Sequence, residues 1–204
     1  MMRQTGQFDD RGLTLIELIV VVLIIGILAT TSTMAFTIVY NADAKRCAEN
    51  ICTAFSQARI RSLALGSEEN NDSDENITIS LRLTLDADDF YYARVYQSNK
   101  AEPIYEMKIG SERGLGKSGA KILAGIMNSE TDVTLRKTLV NKADDALSGN
   151  EVNSLDYIFS RSTGGITQVG KAGIDYQDII ISGSESYKII IVKATGRCYI
   201  FGEE

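Results

Sequence analysis

The stretch "RGLTLIELIVVVLIIGILAT", from Arg11 to Thr30, is almost wholly apolar but carries one carboxylate, Glu17, near its start. From Leu18 to Ala42 no side chain is charged. As a helix, this uncharged run would span about 37 Å, which exceeds the roughly 30 Å hydrocarbon core of a bilayer. The stretch therefore predicts a membrane-spanning helix. A charged group inside such a helix is costly and is, as a rule, functional.

The helical pattern continues beyond the apolar segment. Polar residues such as Lys45, Arg46 and Arg61 occupy the other faces of this second half, so it is amphipathic. Gly66 is expected to end the helix, which is predicted over residues 13–65 with a membrane segment at about 15–40. The small and apolar residues that recur at three- and four-residue steps are Ala44, Ala48, Ile51, Cys52, Phe55, Ala58 and Ser62.

Residues 66–76, "GSEENNDSDEN", contain five carboxylates and no hydrophobic side chain, which predicts a solvated acidic loop. Asp72, Asp74 and Glu75 cluster there. Their spacing does not fit an EF-hand calcium loop, and the central glycine of that loop is missing. We therefore expect no metal site.

From residue 77 the hydrophobic period changes to two, as in "ITISLRLTL", and predicts a half-buried strand. The last two strand candidates form a predicted hairpin around Ala194-Thr195-Gly196. Residues 77–204 are thus expected to form a β-rich head on the helix, an α+β fold. The further strand candidates are Phe90–Gln97, Ile104–Ile109, Asp132–Val140, Tyr157–Arg161, Asp178–Ser182, Tyr187–Lys193 and Arg197–Phe201.

The composition argues against catalysis and against binding of nucleic acid. The chain has no histidine, which removes the commonest general base and metal ligand. Its net charge of −6 gives no electrostatic footprint for nucleic acid. Ser160, Ser162 and Asp156 lie close in sequence, but no general base is available to activate a hydroxyl. We therefore interpret them as ordinary polar residues of a loop. We expect no enzyme activity, no catalytic residue and no cofactor.

A phosphate-binding loop is one alternative, in "GSERGLGKSG" from Gly110 to Gly119. The pattern G-x-x-x-x-G-K-S requires its first glycine at position 111, which is Ser111. The region also does not alternate strands with helices as a nucleotide-binding α/β domain does. A flexible loop is the better interpretation.

The three cysteines, Cys47, Cys52 and Cys198, are too few and too scattered for a metal site or a disulfide scaffold. Cys47 and Cys52 lie about 140° apart around a helix, so they should not bridge each other. Either can meet Cys198 after folding, and a bridge between Cys52 and Cys198 is possible in an oxidising compartment. Otherwise they serve as small buried hydrophobic residues.

The heptapeptide "GLTLIEL", Gly12 to Leu18, resembles the prepilin signature of type IV pilins and type II secretion pseudopilins. The resemblance implies that a prepilin peptidase removes residues 1–12 as a leader, cutting between Gly12 and Leu13, and methylates the new Leu13 amine. Glu17 would then pair with the N-terminal amine of a neighbouring subunit during assembly.

The same resemblance implies the partners and the location. The partners would be other pilin or pseudopilin subunits, the prepilin peptidase, the inner-membrane assembly platform and the lipid bilayer. The precursor would be a single-pass protein of the cytoplasmic membrane with its head outside the cytoplasm. The mature subunit would enter a pilus or pseudopilus.

The C-terminal half, "YIFSRSTGGIT" and then "DIIISGSESYKIIIVKATGRCYIF", resembles the end of GspH/FimT-type minor pilins, including a G-R turn at Gly196-Arg197. This resemblance favours a minor subunit. One alternative is a DNA-binding competence minor pilin. Binding of phosphate requires clustered positive charge, whereas the end of the chain, "GRCYIFGEE", has one basic residue, Arg197, and two acidic residues, Glu203 and Glu204. Another alternative is a membrane-anchored head domain that binds a ligand.

Overall fold

The protein is described by a computed structural model, which covers residues 15–67, 77–111, 121–129, 132–169, 176–182 and 186–203. The chain divides into two compact units, residues 1–38 and residues 39–204. A single long helix, α1, spans Leu15–Ser67. The architecture is α+β and pilin-like, with an N-terminal apolar helix and largely antiparallel sheets, as the sequence predicted.

Eleven strands are described, and they form two sheets. One sheet has the order β3-β2-β1-β7-β8, and the other has the order β11-β10-β9-β4-β5-β6. Pairing is antiparallel except between β5 and β6. The strands are β1 (Ile79–Leu85), β2 (Phe90–Gln97), β3 (Tyr105–Ser111), β4 (Ile122–Ser129), β5 (Asp132–Leu139), β6 (Glu151–Val152), β7 (Ser154–Phe159), β8 (Ile166–Val169), β9 (Tyr176–Ile181), β10 (Ser186–Val192) and β11 (Arg197–Glu203).

The amphipathic part of α1 buries small and apolar side chains in one core with both sheets. Phe55 lies at the centre, with its ring 4.8 Å from that of Tyr157 and 6.1 Å from that of Phe159. Both ring pairs are edge-to-face, the favoured arrangement for aromatic contacts. The buried positions of this helix face are Ala44, Cys47, Ala48, Ile51, Ala54, Phe55, Ala58 and Ser62, which confirms the predicted face except that Cys52 is only half-buried.

Hydrogen bonds from side chains of α1 connect the helix to the region of β3. Asn50 donates to the carbonyl of Ile109, and Arg61 donates to the carbonyl of Ile104. The prediction that the helix ends at residue 65, before Gly66, is wrong by two residues, because α1 runs through Gly66 to Ser67. A guanidinium nitrogen of Arg161 donates to the carbonyl of Leu65 at 2.8 Å. This bond satisfies a carbonyl of the last turn, which otherwise lacks a partner within the helix.

Eight of the eleven described strands were predicted, and several of the predicted ends were wrong. β2 has the predicted bounds, whereas β7 begins three residues before the predicted Tyr157 and ends two before Arg161. Pairing with β1 sets that register, since Ile79 lies opposite Phe159. Three strands, β4, β6 and β8, were not predicted. The predicted hairpin between β10 and β11 is confirmed, and Gly196 has a φ of +65° in its turn.

Candidate functional site

Glu17 lies in the first described turn of α1, and its side chain is exposed. Its neighbours Leu15, Ile16 and Leu18 are exposed as well. Gly12 and Leu13, the other two residues of the predicted processing site, lie outside the described residues. The structure therefore places the carboxylate on an apolar helix surface, and its pairing with an amine stays a prediction.

The apolar half of α1 is not buried by the rest of the described chain. The segment Leu15–Ser32 has a mean hydropathy of 2.6 and is long and apolar enough to cross a membrane. Its large side chains are exposed by 46 to 77 %. A contiguous exposed apolar surface of this kind marks contact with lipid or with other proteins. The exposed side chains are Leu15, Ile16, Leu18, Ile19, Val20, Val21, Val22, Leu23, Ile24, Ile25, Ile27 and Leu28.

Three consecutive hydroxyls in this helix bond to its own backbone. Thr30 donates to the carbonyl of Ile27 at 2.9 Å, Thr31 to Ile27 at 3.1 Å and Ser32 to Leu28 at 2.8 Å. Internal bonds of this type satisfy the hydroxyls without water. These polar residues are therefore compatible with a helix in lipid or among other helices.

The two turns that carried the C-terminal resemblance lie against each other in the structure. Gly165 is so close to the β10–β11 turn that an added Cβ would stand 2.5 Å from the carbonyl oxygen of Ala194. Ile166 donates its N–H to the carbonyl of Lys193 at 2.7 Å, and Nε of Arg59 donates to the carbonyl of Thr195 at 2.7 Å. The helix and both turns thus form one junction, which we call the turn junction.

The sequence signals for this junction are incomplete. The pair Gly164-Gly165 and the glycine at Gly196 indicate turns, but no spacing rule predicts that the two turns touch. Arg59 was missed as well. It lies on the polar side of an amphipathic pattern, where an arginine is usually solvated.

We expect Gly196→Ala to destabilise the turn junction. A Cβ at this position would collide with the carbonyl oxygen of Gly164, and the φ of +65° disfavours any side chain. Left-handed backbone strain and overpacking together predict a loss of roughly 2–4 kcal/mol in the free energy of unfolding. Thermal unfolding of the full chain in detergent, followed by circular dichroism, would then occur about 5–15 °C lower.

Gly149→Ala is the matched control for this substitution. Nothing lies within 4 Å of a Cβ built at Gly149, and its backbone is not left-handed. Its melting temperature should therefore stay close to that of the unmodified chain. Equal melting temperatures for the two variants would contradict the described packing of the turns.

The three cysteines have different surroundings. Cys47 is buried in the core, and burial raises the pKa of its thiol to about 12. Cys52 on α1 and Cys198 on β11 are half-buried, pack against the core and share a hydrogen bond between their side chains. All three are free thiols in this structure. The predicted proximity of Cys52 to Cys198 is therefore present, while the bridge itself is a proposal taken up below.

Arginines on the outer face of the first sheet are neutralised by carboxylates. Arg82 forms an ion pair with Asp156 at 2.5 Å, and Arg94 pairs with Asp86 and Glu106. The hydrogen bond from Arg94 lowers the pKa of Asp86, which keeps this carboxylate charged. A nucleic acid would have to compete with these pairs for the guanidinium groups, so this face favours internal pairing over phosphate binding.

The residues considered for catalysis are not arranged as a nucleophile and its base. Asp156 accepts hydrogen bonds from Arg82 and Ser154, whereas the hydroxyls of Ser160 and Ser162 contact each other at 3.1 Å. Among the described residues no group of three or more cysteine, aspartate or glutamate side chains could hold a metal ion. The acidic cluster of residues 72–75 and the loop at 112–120 lie outside the described residues.

The surface of the second unit has two clefts that differ in position and lining. One, of about 240 Å³, lies between α1 and β3 and is lined by Arg46, Asn50 and Lys108 among others. Nζ of Lys108 lies 2.9 Å from the centre of the Phe90 ring, which already contacts this cation. The other, of about 320 Å³, includes Lys142, which donates to Glu151 at 2.9 Å. Ligand pockets typically measure about 300–1,000 Å³ and are lined mainly by apolar side chains. The first cleft is smaller than this, and the second lies at the lower limit and is lined mainly by polar and charged residues.

Comparison with known proteins gives one match. Residues 8–33 match the family model described as the prokaryotic N-terminal methylation motif. No curated protein and no solved structure matches the chain. The matched range contains Gly12, Leu13 and Glu17, and the motif supports the family of type IV pilins and pseudopilins. It points to a structural subunit that is a substrate of a prepilin peptidase. The GspH/FimT-type resemblance of the C-terminal half stays a prediction.

Proposed function

We propose that this chain, which carries the N-terminal methylation motif of type IV pilins and pseudopilins, is a minor pilin or pseudopilin that assembles through α1. The observation that carries the proposal is the pairing of that motif with a helix whose apolar side chains are exposed over Leu15–Ser32. The peptidase would cut between Gly12 and Leu13 and methylate the Leu13 amine. The apolar helix would then leave the bilayer for the core of a filament.

The same helix has two surroundings in this proposal. In the bilayer, lipid tails cover the apolar side chains, and the peptide groups inside the membrane segment are paired within the continuous helix α1. In the filament, neighbouring helices cover the same surface. Gly26 lies on this exposed helix surface, and small residues let transmembrane helices approach closely. The β-rich unit remains outside the membrane.

Glu17 supplies the specific contact in this account. A carboxylate within an apolar environment either takes up a proton or pairs with a cation. Cleavage before Leu13 creates an ammonium group at the start of the mature helix, and the ammonium group of a neighbouring chain is the partner we propose. We assign the chain as a minor subunit because of the resemblance of its C-terminal half. Whether it belongs to a pilus or to a secretion pseudopilus would be decided by the assembly genes beside its own gene.

Cell fractionation tests the proposed role. With a C-terminal epitope tag on the full chain, we expect the precursor in the membrane fraction, and the head should be digested by protease added outside the cytoplasmic membrane. A portion of the mature chain should appear in sheared filaments when the assembly machinery is present. Recovery of the whole population as a soluble protein, or a head protected from external protease, would contradict the proposal.

A further inference from the structure

The hydrogen-bonded pair of Cys52 and Cys198 is not used by the proposed function. The two residues are far apart in sequence, since Cys52 belongs to α1 and Cys198 to β11, the last strand. Both residues pack against the same core cluster and are half-buried, and the hydrogen bond between their side chains brings the two sulfur atoms together. Cys47, although five residues from Cys52, is buried elsewhere on the helix.

A second contact, independent of the sulfur atoms, fixes the same geometry. Arg59 on α1 donates to the carbonyl of Thr195 at 2.7 Å. Cys52 lies seven residues before Arg59, about 10.5 Å along the helix, and Cys198 lies three residues after Thr195, as the second residue of β11. From the contact of Arg59 with Thr195, Cys52 thus lies towards the start of α1 and Cys198 lies within β11. This contact holds the start of β11 beside α1, where the side chain of Cys198 meets that of Cys52.

We propose that Cys52 and Cys198 form an intramolecular disulfide that ties the last strand to the N-terminal helix. β11 ends its sheet and hydrogen-bonds only to β10 among the described strands. An edge strand is held by backbone hydrogen bonds on one side only. A covalent link to α1 would fix it to the element that anchors the protein.

The two thiols have distinct roles in forming the bond. The hydrogen bond from Cys198 lowers the pKa of Cys52 and raises that of Cys198. Cys52 as thiolate attacks an external disulfide, RSSR, which gives a Cys52–SR mixed disulfide and releases RS⁻. Cys198 then loses its proton and attacks the Cys52 sulfur, releasing the second RS⁻. The two thiol protons pass to the two released thiolates, so two protein thiols and RSSR yield one bridge and two RSH.

The role of the external disulfide agrees with the location of the head. Oxidising compartments outside the cytoplasm supply such disulfides, so the formation of the bridge in the cell rests on the proposed function. The exchange reaction with the purified chain does not. A failure of the reaction in vitro would therefore leave the proposed function standing.

The test uses the full chain in detergent, incubated with glutathione disulfide, digested with trypsin and analysed by mass spectrometry. Cleavage after Arg46, Arg59 and Arg197 gives the peptides "CAENICTAFSQAR" and "CYIFGEE". We expect them to be linked in oxidised protein and separate after reduction. Because the first peptide contains both Cys47 and Cys52, the variants decide which sulfur is bonded.

The matched control is Cys47→Ser, which should keep the linked peptide, whereas Cys52→Ser and Cys198→Ser should lose it. Oxidation should also raise the melting temperature of the monomer by about 5–15 °C in the unmodified chain and in Cys47→Ser. Absence of the linked peptide from oxidised wild-type protein would overturn the proposal. A link that persists in Cys52→Ser, or that occurs only in covalent dimers on a non-reducing gel, would overturn it as well.

Discussion

Gly12→Val is expected to leave the leader attached, so that the chain accumulates in the membrane as full-length precursor. A prepilin peptidase must bring its catalytic groups against the peptide bond between Gly12 and Leu13. Glycine has no Cβ and lets backbone approach closely. A valine side chain would displace that bond, and a displacement of about 1 Å can reduce the rate roughly 100-fold. Pulse-chase labelling followed by electrophoresis measures the fraction processed.

Gly6→Ala is the matched control, because it changes a glycine within the same leader but away from the bond. We expect processing at the rate of the unmodified chain. If Gly12→Val were processed as fast as Gly6→Ala, the predicted cleavage position would be wrong. If both variants remained uncut, the glycine effect would reflect the leader as a whole rather than the cleaved bond.

Glu17→Ala is expected to be processed normally but to enter filaments at least about tenfold less than the unmodified chain. Truncating one partner of a buried charge pair costs about 2–5 kcal/mol, partly because the other charge is left unpaired. In our proposal that other charge is the Leu13 ammonium of a neighbouring subunit. Glu17→Gln keeps the size of the side chain and removes its charge, so it should show a similar loss.

Thr30→Ala is the control for a polar group lost from the same helix. The Thr30 hydroxyl donates to carbonyls of α1 itself, so its removal should leave incorporation nearly unchanged. Quantitative immunoblots of sheared filaments, normalised to processed protein in the membrane, provide the measurement. Normal incorporation of Glu17→Ala would exclude the charge-pair account and leave apolar packing as the basis of assembly.

The sequence predicted the helix well because its signals are local. The uncharged run from Leu18 to Ala42 requires no knowledge of the fold, and the three- and four-residue steps around Phe55 identify the buried face directly. The strand β2 was predicted with the correct bounds for the same reason. Its aromatic and β-branched residues favour a strand, and the alternate residues Tyr91, Ala93 and Val95 are buried in the core.

The missed elements depend on contacts that are distant in sequence. β4, "ILAGIMNS", contains alanine, glycine and methionine and has weak strand preference, but it is paired on both sides, by β5 and β9. Tertiary pairing therefore decides its conformation. The contact of Cys52 with Cys198 and the bond of Arg59 to the β10–β11 turn likewise join residues separated by more than half the chain.

The processing site shows the opposite case. Gly12, Leu13 and Glu17 are recognised only through a motif, since no local rule of folding assigns a role to a glycine before an apolar run. The family model that matches residues 8–33 supports the family, while the roles of these three residues stay predictions. The identity of the assembly machine is not encoded in those residues, because the motif is common to pilins and pseudopilins.

The central claim is that the chain is cut before Leu13 and then serves as a filament subunit. Intact-mass and N-terminal fragment analysis of the protein recovered from membranes and sheared filaments tests it most directly. We predict a chain that lacks residues 1–12, begins at Leu13 and carries one methyl group on its amine. A chain that retains Met1, or one cut after the apolar segment as an ordinary secreted protein would be, would contradict the account.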